Sequence, residues 1–207
     1  MKIIGISGSA SKSPYRTTEF LVKKALESAS ECGAETEFIR LSDLNIQPCD
    51  GCNICLKQKI CTIKDDMQML YEKLIKCDGI ILGSPSYFGT VSGLVKNFMD
   101  RTRPLRGGLE LSLANKVGGA IAVAGWRHGG QEFVADTIIR FFLTHGMIVV
   151  GNLTDTGYLQ NTAYGGLGTL QGKRAKEWDK ITEDEVGINS AIALGKKIVE
   201  VLRLMHK

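Results

Sequence analysis

Short, nearly unbroken apolar runs alternate along the chain with longer stretches whose apolar residues return every three or four positions. The runs at Lys2 to Ile6, Glu35 to Leu41, Gly79 to Gly83, Val117 to Ala124 and Met147 to Val150 read as strands. Several lack the polar alternation of a half-exposed strand, which is the pattern of parallel strands buried on both faces. Between them, helices are expected at about 17–31, 65–76, 92–103 and 132–145, with a long last helix at 183–205.

The ends of these elements carry signals of their own. Leu94, Val95, Phe98, Met99 and Thr102 recur at helical spacing after Ser92, an expected N-cap. Thr182 and Glu185 have the spacing of a capping box, and Gly33 and Gly146 follow the ends of their helices. Five strands alternating with five helices predict an α/β fold, a doubly wound five-stranded parallel sheet with helices on both faces. A ligand of such a sheet lies beyond the carboxyl ends of the strands, where the strand order reverses. All of 1–207 reads as one domain with two inserted loops. One, 42–63, follows the second strand and holds four cysteines; the other, 151–181, carries six glycines. Loops of this length in a compact domain are usually functional or disordered.

Composition narrows the class. With 207 residues, 43% of them hydrophobic, the chain can build a full core. The 26 basic and 22 acidic residues are scattered, leaving a net charge of +4 and no basic block to bind nucleic acid or a membrane surface. No apolar run is long enough to span a bilayer, and the start of the chain lacks the h-region and cleavage site of a secretory signal. A cytoplasmic protein is expected. Of six cysteines, Cys49, Cys52, Cys55 and Cys61 fall within thirteen positions. In a chain with a core and no export signal, such a cluster points to metal or redox chemistry rather than to disulfide staples.

Three loops face the expected ligand edge. After the first strand, Ser7-Gly8-Ser9-Ala10-Ser11 leads through Arg16, Thr17 and Thr18 into a helix. Backbone amides, hydroxyls, the helix dipole and a guanidinium fork together suit a phosphate. The spacing fits neither the G-x-G-x-x-G fingerprint nor the G-x-x-x-x-G-K-[ST] loop, and ordinary capping would also produce a serine-rich turn. After the third strand, Pro85, Ser86, Tyr87, Phe88 and Gly89 combine a stiff turn, a free backbone and aromatic surface suited to a flat heterocycle. The competing reading is a helix entry with core aromatics. After the fourth, Gly125, Trp126, Arg127, His128, Gly129 and Gly130 form a backbone cradle with polar borders, in which Trp126 could equally anchor an interface.

The cysteines are spaced C-x2-C-x2-C-x5-C. Closely spaced thiolates on a curled loop can reach three corners of a cubane, and the fourth can close the set, so a [4Fe-4S] cluster is favoured. Zinc more often uses two separated C-x2-C knuckles; free redox thiols are the third alternative.

Ser7-Gly8-Ser9, the Gly83-Ser84-Pro85-Ser86-Tyr87-Phe88-Gly89 block, Asp100-Arg101-Thr102 and Gly129-Gly130-Gln131-Glu132 together resemble the NADPH-dependent FMN reductase superfamily over nearly the whole chain. The resemblance implies a flavodoxin-like fold, bound FMN, and a homodimer or homotetramer. It assigns the FMN phosphate to Ser9, Ser11, Arg16, Thr17 and Thr18. It assigns the isoalloxazine to Pro85 through Gly89, with Gly125 through Gly130 on the other side. The chain departs from the commoner family loop at Ala10-Ser11 and Arg16-Thr17. The cysteine run, followed by Lys64-Asp65-Asp66-Met67, is similar to the iron–sulfur flavoprotein branch. That branch implies electron transfer between a [4Fe-4S] cluster and FMN, with ferredoxin as donor and oxygen, peroxide or a quinone as small-molecule acceptor. An NAD(P)H-dependent FMN or quinone reductase without a cluster is the alternative, and a non-enzymatic flavodoxin-type carrier or regulatory module the third reading.

Overall fold

The computed structural model describes residues 1–12, 16–107, 111–126, 128–153, 165–169 and 181–205. Strand β1 (Lys2–Ser7) leads to helix α1 (Thr17–Glu31) and β2 (Glu35–Arg40). A long connection holding a short helix, α2 (Ile54–Gln58), precedes α3 (Met67–Lys76) and β3 (Gly79–Pro85). Then follow α4 (Gly93–Arg101), β4 (Val117–Ala124), α5 (Gln131–Thr144), β5 (Ile148–Val149), β6 (Gly166–Thr169) and α6 (Glu185–Met205). All strand pairs are parallel, in the order β2-β1-β3-β4-β5. From β1 the chain passes to β2 on one side and then to β3 on the other. The switch point therefore lies between the carboxyl ends of β1 and β3.

The period of two within each strand divides the core. Ile4, Ile6 and Leu82 pack with Leu70, Phe98 and Phe142 of α3, α4 and α5. Ile3, Ile81 and Ile121 pack with Leu21, Val22 of α1 and Leu194, Ile198 of α6. Both faces are thus covered, which is why these strands read as continuous apolar runs.

The doubly wound sheet is as expected, but it carries a sixth short strand. β6 pairs with Ile121 to Ala124 of β4, while β5 pairs with Val117 and Gly118 of the same edge, so two segments share one position. The expected loop 151–181 hid β6 because Gly166-Leu167-Gly168-Thr169 has little strand character of its own. Its glycines answer to packing, since a Cβ on Gly168 would lie 2.5 Å from Leu21 Cδ1. The capping box at Thr182 gives way to Asp184, whose carboxylate accepts from the amides of Gly187 (3.1 Å) and Thr169 (2.8 Å) and so ties β6 to α6. Ser92 caps α4 as expected, accepting from Val95 N at 3.3 Å. Gly33 and Gly146 take the left-handed conformation at φ +87° and +71°. Among the described residues, no helix is long and apolar enough to cross a membrane.

Candidate functional site

At the switch point the chain ends of β1 and β3 are locked together. Gly8 N donates to Gly83 O (2.8 Å), and Ser92 Oγ donates to Gly8 O (2.6 Å). A Cβ on Gly8 would fall 1.9 Å from Val95 Cγ2, so only glycine fits against α4 here. Ser9 is buried, and its hydroxyl accepts from Ser11 N at 3.3 Å. Thr17 opens α1, preceded by Arg16 at the N-cap position. Ser7 Oγ, Thr18 Oγ1 and Arg16 NH1 are buried with no hydrogen-bond partner among the described residues. Ser7 was not among the expected contacts; its place at the last position of β1 is the signal that could have found it.

Arg16 makes a long ion pair with Glu19 in the first turn of α1, NH1 to Oε2 at 3.7 Å. Glu19 is already held by Arg40 Nε (2.8 Å), Arg40 NH2 (2.7 Å) and Lys23 Nζ (2.7 Å). Burial alone would raise the Glu19 pKa, but the hydrogen bonds and charges of Arg40 and Lys23 outweigh it and lower it to about 2.

The loops after β3 and β4 face each other across one cavity of about 750 Å³. Ser86, Tyr87, Phe88, Gly89, Gly125, Trp126, His128, Gly129, Gly130 and Phe133 line it. The size is that of a small-molecule site. Ser86 fixes the pair: its amide donates to Val123 O (2.7 Å) and its hydroxyl to Gly129 O (2.5 Å). Gln131 secures the far loop, accepting from Gly129 N (2.9 Å) and donating to Trp126 O (2.8 Å). Gly130, at φ +92°, passes so close to Gly89 that a Cβ would lie 2.7 Å from its Cα. Phe88 takes φ +52° and is fully exposed, and Trp126 is 73% exposed. Pro85 ends β3 outside the cavity lining. Arg127 lies outside the described residues. His128 and Gly129 line the cavity as expected, and Phe133 joins them because the turn at Gly130 carries the chain directly into α5.

The cysteine loop is built differently. Asn97 Nδ2 donates to Ile46 O (2.6 Å), pinning the loop to α4. Asp65 accepts from Gln47 N (2.8 Å), and Gln68 Nε2 donates to Ile63 O (2.8 Å), so both ends are tied. Gly51, Asn53 and Lys59 at φ +71°, +60° and +57° curl the chain between them. Cys49, Cys52, Cys55 and Cys61 all line one small cleft of about 20 Å³. Cys55 is buried, which pushes its thiol pKa up; Cys52 is exposed. Among the described residues, no three His, Cys, Asp or Glu side chains converge tightly enough to hold a single metal ion. Cys32 and Cys77 stand apart from the cleft, and burial pushes the Cys77 thiol up to about 11. All six cysteines are free.

The main member of this region missed from sequence is Arg101. It is 1% exposed, and its fork donates to Asp65 Oδ2 (2.6 Å) and Oδ1 (2.9 Å), with Asp65 equally buried. A second bond from NH1 reaches Gln47 O (2.5 Å). Arginine three residues after Phe98, on the apolar face of an amphipathic helix, is the signal that marks it.

A doubly wound parallel sheet in the order β2-β1-β3-β4-β5, with helices on both faces, defines a flavodoxin-like class. The chain belongs to the NADPH-dependent FMN reductase family, whose model matches residues 1–156. It is an FMN-dependent oxidoreductase. It is 47% identical to an iron–sulfur flavoprotein of Methanocaldococcus jannaschii over 100% of both chains. It is 38% identical to the iron–sulfur flavoprotein of Methanosarcina thermophila over 100% of this chain and 98% of that one. Among solved structures, RosB with bound 8-demethyl-8-formylriboflavin-5'-phosphate superposes with a TM-score of 0.73 at 18% identity, covering 100% of this chain and 82% of that one.

Proposed function

We propose that the chain is an iron–sulfur flavoprotein, carrying electrons between a [4Fe-4S] cluster and FMN. The donor in this reading is ferredoxin or a similar carrier, and the acceptor a small molecule such as oxygen, peroxide or a quinone. The observation that carries the reading is the gathering of Cys49, Cys52, Cys55 and Cys61 around one cleft of a chain otherwise built as a flavin protein. The all-thiol donor set fits an iron–sulfur cluster, whose sulfur ligands stand at separate corners and need not converge on one ion. The two full-length relatives named as iron–sulfur flavoproteins support it.

The flavin end fits as well. Ser9, Ser11, Arg16, Thr17 and Thr18 would hold the phosphate, with the orphaned Ser7, Thr18 and Arg16 atoms gaining partners. Ser86, Tyr87, Phe88 and Gly89 would border one side of the ring, and Gly125, Trp126, Arg127 and Gly130 the other. Pro85 would set the turn. When bound, FMN stores two electrons and the cluster passes one at a time, which suits the pair to linking one-electron carriers with two-electron chemistry. Trp126 and Phe88 line the cavity and would offer aromatic surface to the ring. Exposed Phe88, Trp126 and Phe133 around that cavity support a homodimer or homotetramer. Six free thiols suit a reducing cytoplasm.

A second reading, an NAD(P)H-dependent FMN or quinone reductase with no cluster, draws on the NADPH-dependent FMN reductase family model that matches residues 1–156. Anaerobic purification with an absorption spectrum and iron and sulfide assays separates the two. The expected result is one flavin with about four irons and four sulfides per chain. Flavin without iron, bleached rapidly by NAD(P)H, would establish the second reading instead.

A further inference from the structure

Arg101 is placed where a buried charge needs a reason. Its guanidinium is anchored on one side by both oxygens of Asp65 and by Gln47 O. Its Nε is buried with no partner. Arg101 and Arg103 line the cysteine cleft, as do Asp50 and Asp100, whereas Asp65 does not; of the four that line it Arg101 is the one buried charge. Arg101 is thus the member of the ion pair that borders the cleft, and its charge interacts with the Cys61 thiol. Tyr71 reinforces the placement: its hydroxyl donates to Arg101 O (2.6 Å), and burial together with the neighbouring Cys61 thiol pushes its own pKa well above the usual phenol range.

Taking two charges out of water gains little net stability, so a buried pair is weak evidence for a purely structural role. Local fields and hydrogen bonds to sulfur, in contrast, set the potential of an iron–sulfur cluster. We propose that Arg101 is a positioning residue for the cluster: anchored by Asp65, it turns its positive charge and free Nε–H toward the Cys61 side of the cleft and raises the cluster's reduction potential. This inference rests on the proposed cluster. Reduction adds one negative charge to the cluster. A fixed cation and an N–H donor beside it stabilise the reduced form more than the oxidised one.

The test is an EPR-monitored redox titration of anaerobically purified, full-length protein, with iron content measured on the same samples. Replacing the arginine by methionine (R101M) is expected to lower the cluster midpoint by about tenfold in the reduction equilibrium, about 59 mV for a one-electron couple. R101K keeps a charge but loses the fork and the Nε–H, and is expected to give a smaller drop. R140M removes an exposed arginine paired with Asp136 on α5 and is expected to leave the midpoint unchanged. A merely structural role would change iron content without moving the midpoint of the clusters that remain. Should R101M assemble no cluster, the R101K midpoint decides, a lowered value supporting the proposal and an unchanged one overturning it. Variants with full iron and the wild-type midpoint would overturn the role of Arg101 and leave the cluster standing. Wild-type protein that takes up no iron and sulfide would remove the cluster and this role together.

Discussion

The flavin edge and the cysteine loop meet the two ends of one helix and hold their polar groups by different means. Ser92, at the start of α4, binds the turn after β1; Arg101, at its end, lines the cysteine cleft. The two are separated by nine residues, roughly 13 Å along the axis. At the flavin edge the fold itself does the placing, because strand ends at a switch point leave amides, hydroxyls and a helix start pointing at one spot. The cysteine loop has no such scaffold. It is an irregular segment curled by three left-handed residues and fixed by one buried ion pair with a few backbone bonds. The first site should therefore degrade gradually under single substitutions, and the second abruptly.

Asp65→Ala is the sharpest way to break the second region. It leaves the Arg101 guanidinium buried without its carboxylate, at a cost of about 3–5 kcal/mol. Iron content is expected to collapse while the flavin remains bound, as read by iron assay and flavin absorbance on one preparation. Wild-type iron in this variant would show that the ion pair does not hold the loop.

Acid should also separate the two ends of α4. Beyond its C-terminus, His145 is buried with Nε2 3.0 Å from Thr102 Oγ1, and Thr102 donates to Met99 O (2.6 Å). Burial, with a contribution from the Arg106 charge, lowers the His145 pKa to about 4. Below the ordinary histidine value near 6.5 the unfolded chain gains a proton that the folded one refuses. Stability should fall by about 3 kcal/mol between pH 6.5 and 4, then level off for this group. Glu19 at the phosphate loop behaves later. Its lowered pKa makes a contribution that is complete above the ordinary carboxylate value and fully lost only as the pH falls through about 2. Urea unfolding of wild type and His145→Gln at stepped pH checks this, and equal slopes for the two proteins between pH 6.5 and 4 would refute it.

The flavin edge can be strained without touching the cysteines. Gly8→Ala places a methyl 1.9 Å from Val95 Cγ2, and overpacking of this kind costs about 1–3 kcal/mol. Thermal unfolding of the apoprotein should drop accordingly, with FMN affinity weakened and iron content unchanged. Loss of iron in this variant would mean that the two regions are coupled through α4.

How much of this was legible follows the same division. The strands were readable because burial on both faces leaves little besides apolar residues, as in Ile80-Ile81-Leu82. The loops at the switch point could be located because their place follows from topology. β6 could not be read, since its glycines serve packing against Leu21 and Ile121 that no local pattern announces. The cysteine run was visible as a spacing, but Asp65 and Arg101 meet across 36 residues and are joined only by the folded chain. Ser7 was hidden for a related reason: its hydroxyl matters by being left unpaired at the end of β1 among the described residues, and pairing is not a property of the sequence.

The smallest change proposed is the most selective one. Thr18 is fully buried, and its hydroxyl has no hydrogen-bond partner among the described residues. Thr18→Val keeps the shape and removes only the polar atom. In the absence of flavin this deletes an unsatisfied buried group, so the apoprotein should be as stable as wild type or slightly more so. With flavin the variant forfeits one hydrogen bond to a phosphate oxygen, and FMN affinity should weaken about tenfold, equivalent to about 1.4 kcal/mol. The opposite signs distinguish a ligand-facing hydroxyl from a structural one. Fluorescence titration of the apoprotein with FMN and with riboflavin makes the assignment specific, because riboflavin has no phosphate and its affinity should be the same for both proteins. A Thr18→Val variant that binds FMN as tightly as wild type, or whose loss extends equally to riboflavin, would move the phosphate away from the start of α1.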